Sequence, residues 1–281
     1  MRIDYTFHSH TFRCGHAEGD IEDYVLLALK NNLKIFGVSD HVFLPGVNQP
    51  HTRGDYSYLE DYISSFNQSK KRHQNEIEMY LGFECEYADI FKNYYRDLLI
   101  NKGFDFLILG QHCSFDNDKR HSFYFGKPKE IEEQCLRQYV KDLIDGMKTG
   151  LFMYVAHPDL LFAESKEMSP LLDELSNEII EVGEKYNIPF EINIHGFLRK
   201  KHPNRLDKIG YPTDYFWSKV ADRKIRIVYG GDYHEFFEVG NKECEQQLNE
   251  LIRKHNLVLS DIKPIYEEYR HRIDKMIKGA K

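Results

Sequence analysis

Short apolar runs rich in β-branched and aromatic residues recur along the chain, at residues 2–7, 34–38, 78–83, 104–109, 152–155, 189–194 and 225–229. Most are followed by a polar turn and then by a segment whose apolar residues fall at helical spacing. In the first such segment, 20–31, Asp20 is placed to cap, and Ile21, Val25, Ala28 and Leu29 form one stripe. Start and stop signals predict further helices over 57–75, 91–102, 129–149, 170–187 and 213–223, with two more, 242–255 and 260–278, closing the chain. Strands alternating with helices imply a parallel sheet, because each parallel pair needs a crossover and a helix fills it. Nearly continuous apolar strands such as FDFLIL suit a sheet covered on both faces. A doubly wound open sheet and a closed barrel of seven strands both satisfy this pattern. No repeat, low-complexity tract or Pro/Gly-rich linker interrupts it, so residues 1–281 are expected to form a single domain.

The residues just beyond each apolar run favour the barrel. The first run delivers His8 and His10, the second Asp40 and His41, and the third Glu84 and Glu86. The fourth leads to His112, the fifth to His157, the sixth to His195, and the seventh to Asp232 and His234. In a β/α barrel the C-terminal strand ends surround one mouth, where such proteins place their chemistry. His8 and His10, two apart in an extended segment, share a face and can chelate one ion; Asp232 and His234 repeat the spacing. Each pair alone is more often a packing or turn feature. Imidazole with carboxylate suits zinc, iron or manganese, and such mixed sets can hold neighbouring ions about 3.5–4 Å apart. On spacing alone, either Glu84 or Glu86 can be the bridging acid. The remaining histidines at 51, 73, 121, 202, 255 and 271 are expected at the surface, Cys85 and Cys113 in the interior, and Cys14 in a loop.

Composition narrows the classes. The net charge of −7, with Lys and Arg scattered, argues against nucleic acid as the partner. A phosphorylated small substrate stays compatible, since bound cations reverse the local field within one pocket. Five cysteines without a C-x-x-C pair point to a reduced protein. With no apolar run of signal-peptide or membrane-spanning length, the cytoplasm is the expected location, with no membrane partner.

Taken in order, HSHTFRCGHA, SDH, GFE, ILGQH, AHPDL and GGDYH resemble the polymerase and histidinol phosphatase (PHP) family, and most closely its histidinol-phosphatase branch. The resemblance spans nearly the whole chain and implies a distorted (β/α)7 TIM-like barrel holding two or three divalent transition metal ions (Zn, Mn or Fe). It implies that His8, His10, Glu84 and Asp232 hold a first ion. Glu84 bridges to a second, shared with His112 and His157, while His16, His41 and His234 hold the third. It selects Glu84 over Glu86 and promotes His16, otherwise a loop residue. FLRKKHPNRLDKIGYP resembles the basic loop that binds substrate phosphate in histidinol phosphatases, with Arg199 the best candidate and Lys200, Lys201 and Arg205 weaker ones. Two departures, His195 in EINIHG and the QHCSFD segment, fall where substrate sits.

The implied chemistry is hydrolysis of a small phosphate monoester, L-histidinol phosphate above all, through a metal-bridging hydroxide. Asp232 orients the water, Arg199 stabilises the phosphoryl oxygens, and His195 is a candidate proton donor to the leaving group. A monomer or homodimer is expected. Rival readings are another PHP-type phosphoesterase acting on nucleotides, phosphodiesters or phosphotyrosine, a non-catalytic metal-binding protein, and a metal-dependent amidohydrolase.

Overall fold

The computed structural model describes residues 2–119 and 132–279. Four parallel strands pair in chain order: β1 (Tyr5–Thr6), β2 (Ile35–Val38), β3 (Glu78–Cys85) and β4 (Phe106–Leu109). A second parallel pair joins β5 (Phe190–Asn193) to β6 (Ile227–Gly230). Residues 152–156 stitch the two sheets together. Val155 bridges both Leu109 and Phe190, with Leu109 N donating to Tyr154 O at 3.0 Å and Glu191 N to Val155 O at 2.9 Å. On the other side a Ser9–Tyr233 bridge, with His10 N donating to Tyr233 O at 2.9 Å, brings β6 back to the end of β1. The ring therefore closes on seven parallel segments, and the distorted (β/α)7 barrel is the observed fold.

Two segments fall furthest short of their apolar runs, for local reasons. The first run keeps only two paired residues, because the Thr6 hydroxyl takes the His8 and Gly231 amides at 3.1 and 3.2 Å in place of ladder bonds. The fifth is a line of bridges, since the Tyr269 hydroxyl intervenes. It accepts from Leu107 N at 3.2 Å and donates to Leu151 O at 3.0 Å.

Helices α1 (Ile21–Lys30), α2 (Leu59–Arg72), α3 (Lys92–Ile100), α4 (Glu133–Lys148) and α5 (Pro170–Lys185) follow the first five segments. The short α6 (Ile194–Arg199) and then α7 (Asp214–Ala221) lie between β5 and β6, and α8 (Lys242–His255) and α9 (Ile262–Gly279) end the chain. Asp20 caps α1 as expected, in a reciprocal capping box with Asp23. The expected start of α4 at 129 lies outside the described residues.

Aromatic rings fill much of the interior. Phe106 is fully buried, 5.0 Å from Phe7 edge to face, and occupies the space left by Gly82, where a Cβ would fall 2.3 Å from its ring. Gly82 and Glu84 share a face of β3, so this ring lies one pleat below the Glu84 carboxylate. Phe106→Ala is expected to lower stability by about 3–5 kcal/mol, read from urea unfolding, because it opens a cavity in a closed ring of strands.

Candidate metal centre

The carboxyl ends of the strands converge. The barrel places the Glu84 carboxylate centrally, with His157 Nε2 at 2.7 Å, His8 Nε2 at 3.3 Å and His112 Nε2 at 3.4 Å from Oε1. Its Oε2 has His41 Nδ1 at 2.9 Å and His10 Nε2 at 3.6 Å. Asp232 Oδ1 lies 2.8 Å from His10 Nε2 and 3.3 Å from His8 Nε2. On the outer side the His16 ring centroid is 5.3 Å from that of His41 and 4.8 Å from that of His234. All nine residues that the resemblance nominates are thus gathered at one mouth. Overlapping trios of donor atoms, each within 4.8 Å of one another, include His8–His10–Glu84, His41–Glu84–His112, His8–His157–Asp232 and His10–His41–His234.

The donors fit cations. Buried His8 Nε2, His10 Nδ1, His157 Nδ1 and Glu84 Oε2 have no hydrogen-bond partner, although buried polar atoms normally find one. Gly110 leaves the room Glu84 needs, since a Cβ there would fall 2.0 Å from Oε1. His157 (φ +33°) and Asp232 (φ +51°) are held in left-handed backbone that L-residues rarely adopt, and such strain gathers at functional sites.

Charge is split among the histidines. Burial works against protonated His10, but its hydrogen bond to Asp232, with the negative charge of Asp40, 3.6 Å from Nδ1, and of Glu84, outweighs this and raises its pKa to about 9. His8 is raised too, against its burial, by Glu191, Asp232 and Glu84. His41 and His234 are pushed well below the usual range by burial and by the positive charge of His10. Burial disfavours the charged forms of Glu84 and Asp232, but neighbouring imidazoles hold both well below ordinary carboxylate values. Packed this closely, only some of the rings can carry a proton.

Several supporting residues carry no local sequence signal. Glu191, inside β5, meets His8 Nδ1 with both oxygens at 2.9 and 3.1 Å. Glu86, the alternative bridging acid, turns away from the cluster centre to His112 Nδ1 at 3.0 Å, and buried Arg53 binds it through two bonds of 2.9 and 2.8 Å. Asp40 accepts from the Thr11 hydroxyl and from His41 N, and its Oδ1 lies 3.6 Å from His10 Nδ1. Cys85 and Cys113 are buried as expected, and Cys14, in a short 3-10 turn after β1, is buried as well. Its sulfur belongs to a donor trio with His16 and His234. His73, expected at the surface, is instead buried at the end of α2 between Glu22 and Glu76. His121 lies outside the described residues.

The mouth is walled by α6. Extended structure stops at Asn193, so His195 sits in the first turn of that helix rather than at a strand end. Its Nδ1 is 2.6 Å from Glu238 Oε1, and its ring is 5.0 Å from that of His234. Arg199, in the last turn, lies with a guanidinium nitrogen 3.5 Å from the Tyr211 hydroxyl; the Tyr211 ring is 5.9 Å from that of His157. Lys200 Nζ donates to Pro212 O at 3.0 Å, Lys201 pairs with Glu243 at 2.5 Å, and Arg205 pairs with Glu164 at 2.6 Å.

A closed parallel barrel with a histidine- and carboxylate-lined mouth defines a metal-site β/α-barrel protein. Residues 6–195 match the PHP domain, and the chain belongs to that family. It is 25% identical over 243 residues to a probable histidinol-phosphatase of Deinococcus radiodurans, covering 83% of this chain and 87% of that one. It is also 25% identical over 267 residues to the histidinol-phosphatase of Bacillus subtilis, covering 83% and 94%. The fold superposes with a TM-score of 0.64, at 19% identity, on Lactococcus lactis histidinol phosphate phosphatase complexed with zinc, L-histidinol and phosphate, covering 92% and 95%. Among the described residues no helix is long and apolar enough to cross a membrane.

A folded-state pKa for His10 near 9, above its ordinary 6.5, contributes stability that is complete below pH 6.5 and lost as pH rises through 9. Metal-free protein is therefore expected to lose this contribution over that interval. A saturating divalent ion, which competes with the same proton, should raise Tm more at pH 9 than at pH 6.5. Paired thermal melts with and without Mn²⁺ measure this; a larger gain at the lower pH contradicts it.

Proposed function

We propose that this protein is a metal-dependent phosphatase of small phosphate monoesters, with L-histidinol phosphate as its substrate and the whole chain acting as one catalytic domain. The observation that carries the reading is the gathering of seven histidines and two acids at one mouth, with four of their buried donor atoms unpartnered. His8, His10, Glu84 and Asp232 would hold one ion, Glu84 with His112 and His157 a second, and His16, His41 and His234 a third. Similarity to named histidinol-phosphatases, one of them crystallised with zinc and both reaction products, supports the substrate class.

Bound divalent ions supply positive charge that lowers the pKa of a water towards about 7 and offsets charge on phosphoryl oxygens. The chain's own residues do the rest. Asp232, fixed by His10 and by Asn193 Nδ2 at 3.1 Å, accepts a hydrogen bond from the attacking water and orients it. Arg199 presents a planar fork to two phosphoryl oxygens, steadied by Tyr211 beneath it. Lys200, bonded to Pro212 O within the loop, adds positive potential, and Arg205, paired with Glu164, anchors the loop to the segment before α5. His195, oriented through Nδ1 by Glu238, is placed at the rim to give a proton to the leaving alkoxide. The expected setting is cytoplasmic, with no nucleic-acid partner.

Complete metal removal by chelator should abolish hydrolysis of histidinol phosphate, and Mn²⁺, Zn²⁺ or Fe²⁺ should restore it. A panel including nucleotides, phosphotyrosine and phosphodiesters tests the monoester preference. Undiminished turnover in verified metal-free protein would falsify the mechanism. Arg199→Ala should lower kcat/KM by about 10²-fold, with KM raised and metal content unchanged by elemental analysis. Loss of metal in that variant would assign the arginine a structural role.

A further inference from the structure

Beneath the proposed ligands, two buried carboxylates back two different histidines, and their surroundings differ. Glu86, behind His112, is matched by the bidentate Arg53 guanidinium. Glu191, behind His8, has no lysine or arginine partner among the described residues; its bonds are to His8 Nδ1 and to Asn193 Nδ2 at 2.9 Å. A carboxylate behind an imidazole fixes the tautomer and makes the far nitrogen a stronger donor. In a dry interior that influence is strongest where no cation offsets the charge. Both Glu191 and His8 are fully buried, and His8 Nε2, the nitrogen facing the cluster, is one of the unpartnered atoms.

Asn193 extends this support to a second ligand. Its Nδ2 donates to both Glu191 and Asp232, and its Oδ1 accepts from Gly196 N at 2.9 Å, which starts α6. One buried side chain thus ties the His8 support, the Asp232 carboxylate and the helix carrying Arg199. Gly230 preserves the space, because a Cβ there would fall 2.0 Å from Glu191 Oε2.

We propose that Glu191 and Asn193 are positioning residues, a clamp that makes the ion held by His8, His10, Glu84 and Asp232 the most tightly bound of the cluster. The proposal rests on the metal reading above. Glu191→Gln keeps the shape and one acceptor oxygen for His8 Nδ1 and Asn193 Nδ2, and replaces the charged second oxygen with a neutral amide nitrogen. Asn193→Ser keeps a cap for α6 and removes the donors to Glu191 and Asp232.

The test is competitive titration of stripped wild-type protein and both variants with Zn²⁺ and Mn²⁺ against a chromophoric chelator, together with Co²⁺ absorption spectra. The expected result is that each variant weakens the tightest ion by about 10- to 100-fold and alters its Co²⁺ bands, while the weaker ions change little. Unchanged affinity of the tightest ion in both variants, or equal weakening of every ion, overturns the clamp. Wild-type protein that binds no ion overturns the metal reading itself, a result distinct from either.

Discussion

Everything at the mouth of this barrel answers to the burial of one carboxylate. Glu84 is removed from water and approached by five imidazoles within 3.6 Å. An isolated buried carboxylate is very costly, so its neighbours must supply positive charge. Five adjacent protonated rings would repel one another, and the histidines divide accordingly: His8 and His10 favour the proton while His41 and His234 reject it. Protons alone leave His8 Nε2 and Glu84 Oε2, both buried, without hydrogen bonds. Cations placed between the donors satisfy the acids and the neutral rings together, which a proton on any single nitrogen does not.

The barrel makes this crowding possible, and accommodates it at specific points. The nine candidate ligands enter from six segments of the ring, and only the stretches around residues 8–16 and 232–234 carry more than one. Glycine at 110 and 230 clears space for Glu84 and Glu191. His157 and Asp232 hold left-handed backbone at a cost on the order of 1–3 kcal/mol each, sustained for Asp232 by its N–H bond to His8 O at 2.8 Å. The aromatic layer below, with Phe106 under Glu84, supplies the rigid floor against which that strain is held.

The alternation of apolar runs and helical stripes exposed the barrel, and acids and histidines beyond the runs exposed its mouth, because a parallel barrel turns a position along the chain into a position around a ring. His16 was legible only through resemblance, since its loop has no periodic constraint. The supporting residues were hidden for a different reason. Glu191 lies within an apolar run and reads as an exception in it, while Arg53 sits in a loop 33 residues before the Glu86 it neutralises. Tyr211 likewise meets Arg199 and His157 only in three dimensions. Pairings of this kind depend on closure of the whole ring. His73 was misplaced because an acid from α1 reaches it across α2, a contact that no helical pattern encodes.

Exposure is graded across the cluster, and the gradient gives the site a direction. His8 and His10 are sealed from solvent, His112 and His234 are less completely covered, and His16 is exposed. The residues proposed to meet substrate lie away from that sealed side: His195 beside His234, and Arg199 beside Tyr211. On the proposed reading, a phosphate ester approaching from solvent meets the outer histidines before the inner acids. The sealed side serves a different purpose, because burial there strengthens every interaction made by Glu84, Asp232 and Glu191. Helix α6 spans this gradient, capped at Asn193 on the buried side and ending at half-buried Arg199.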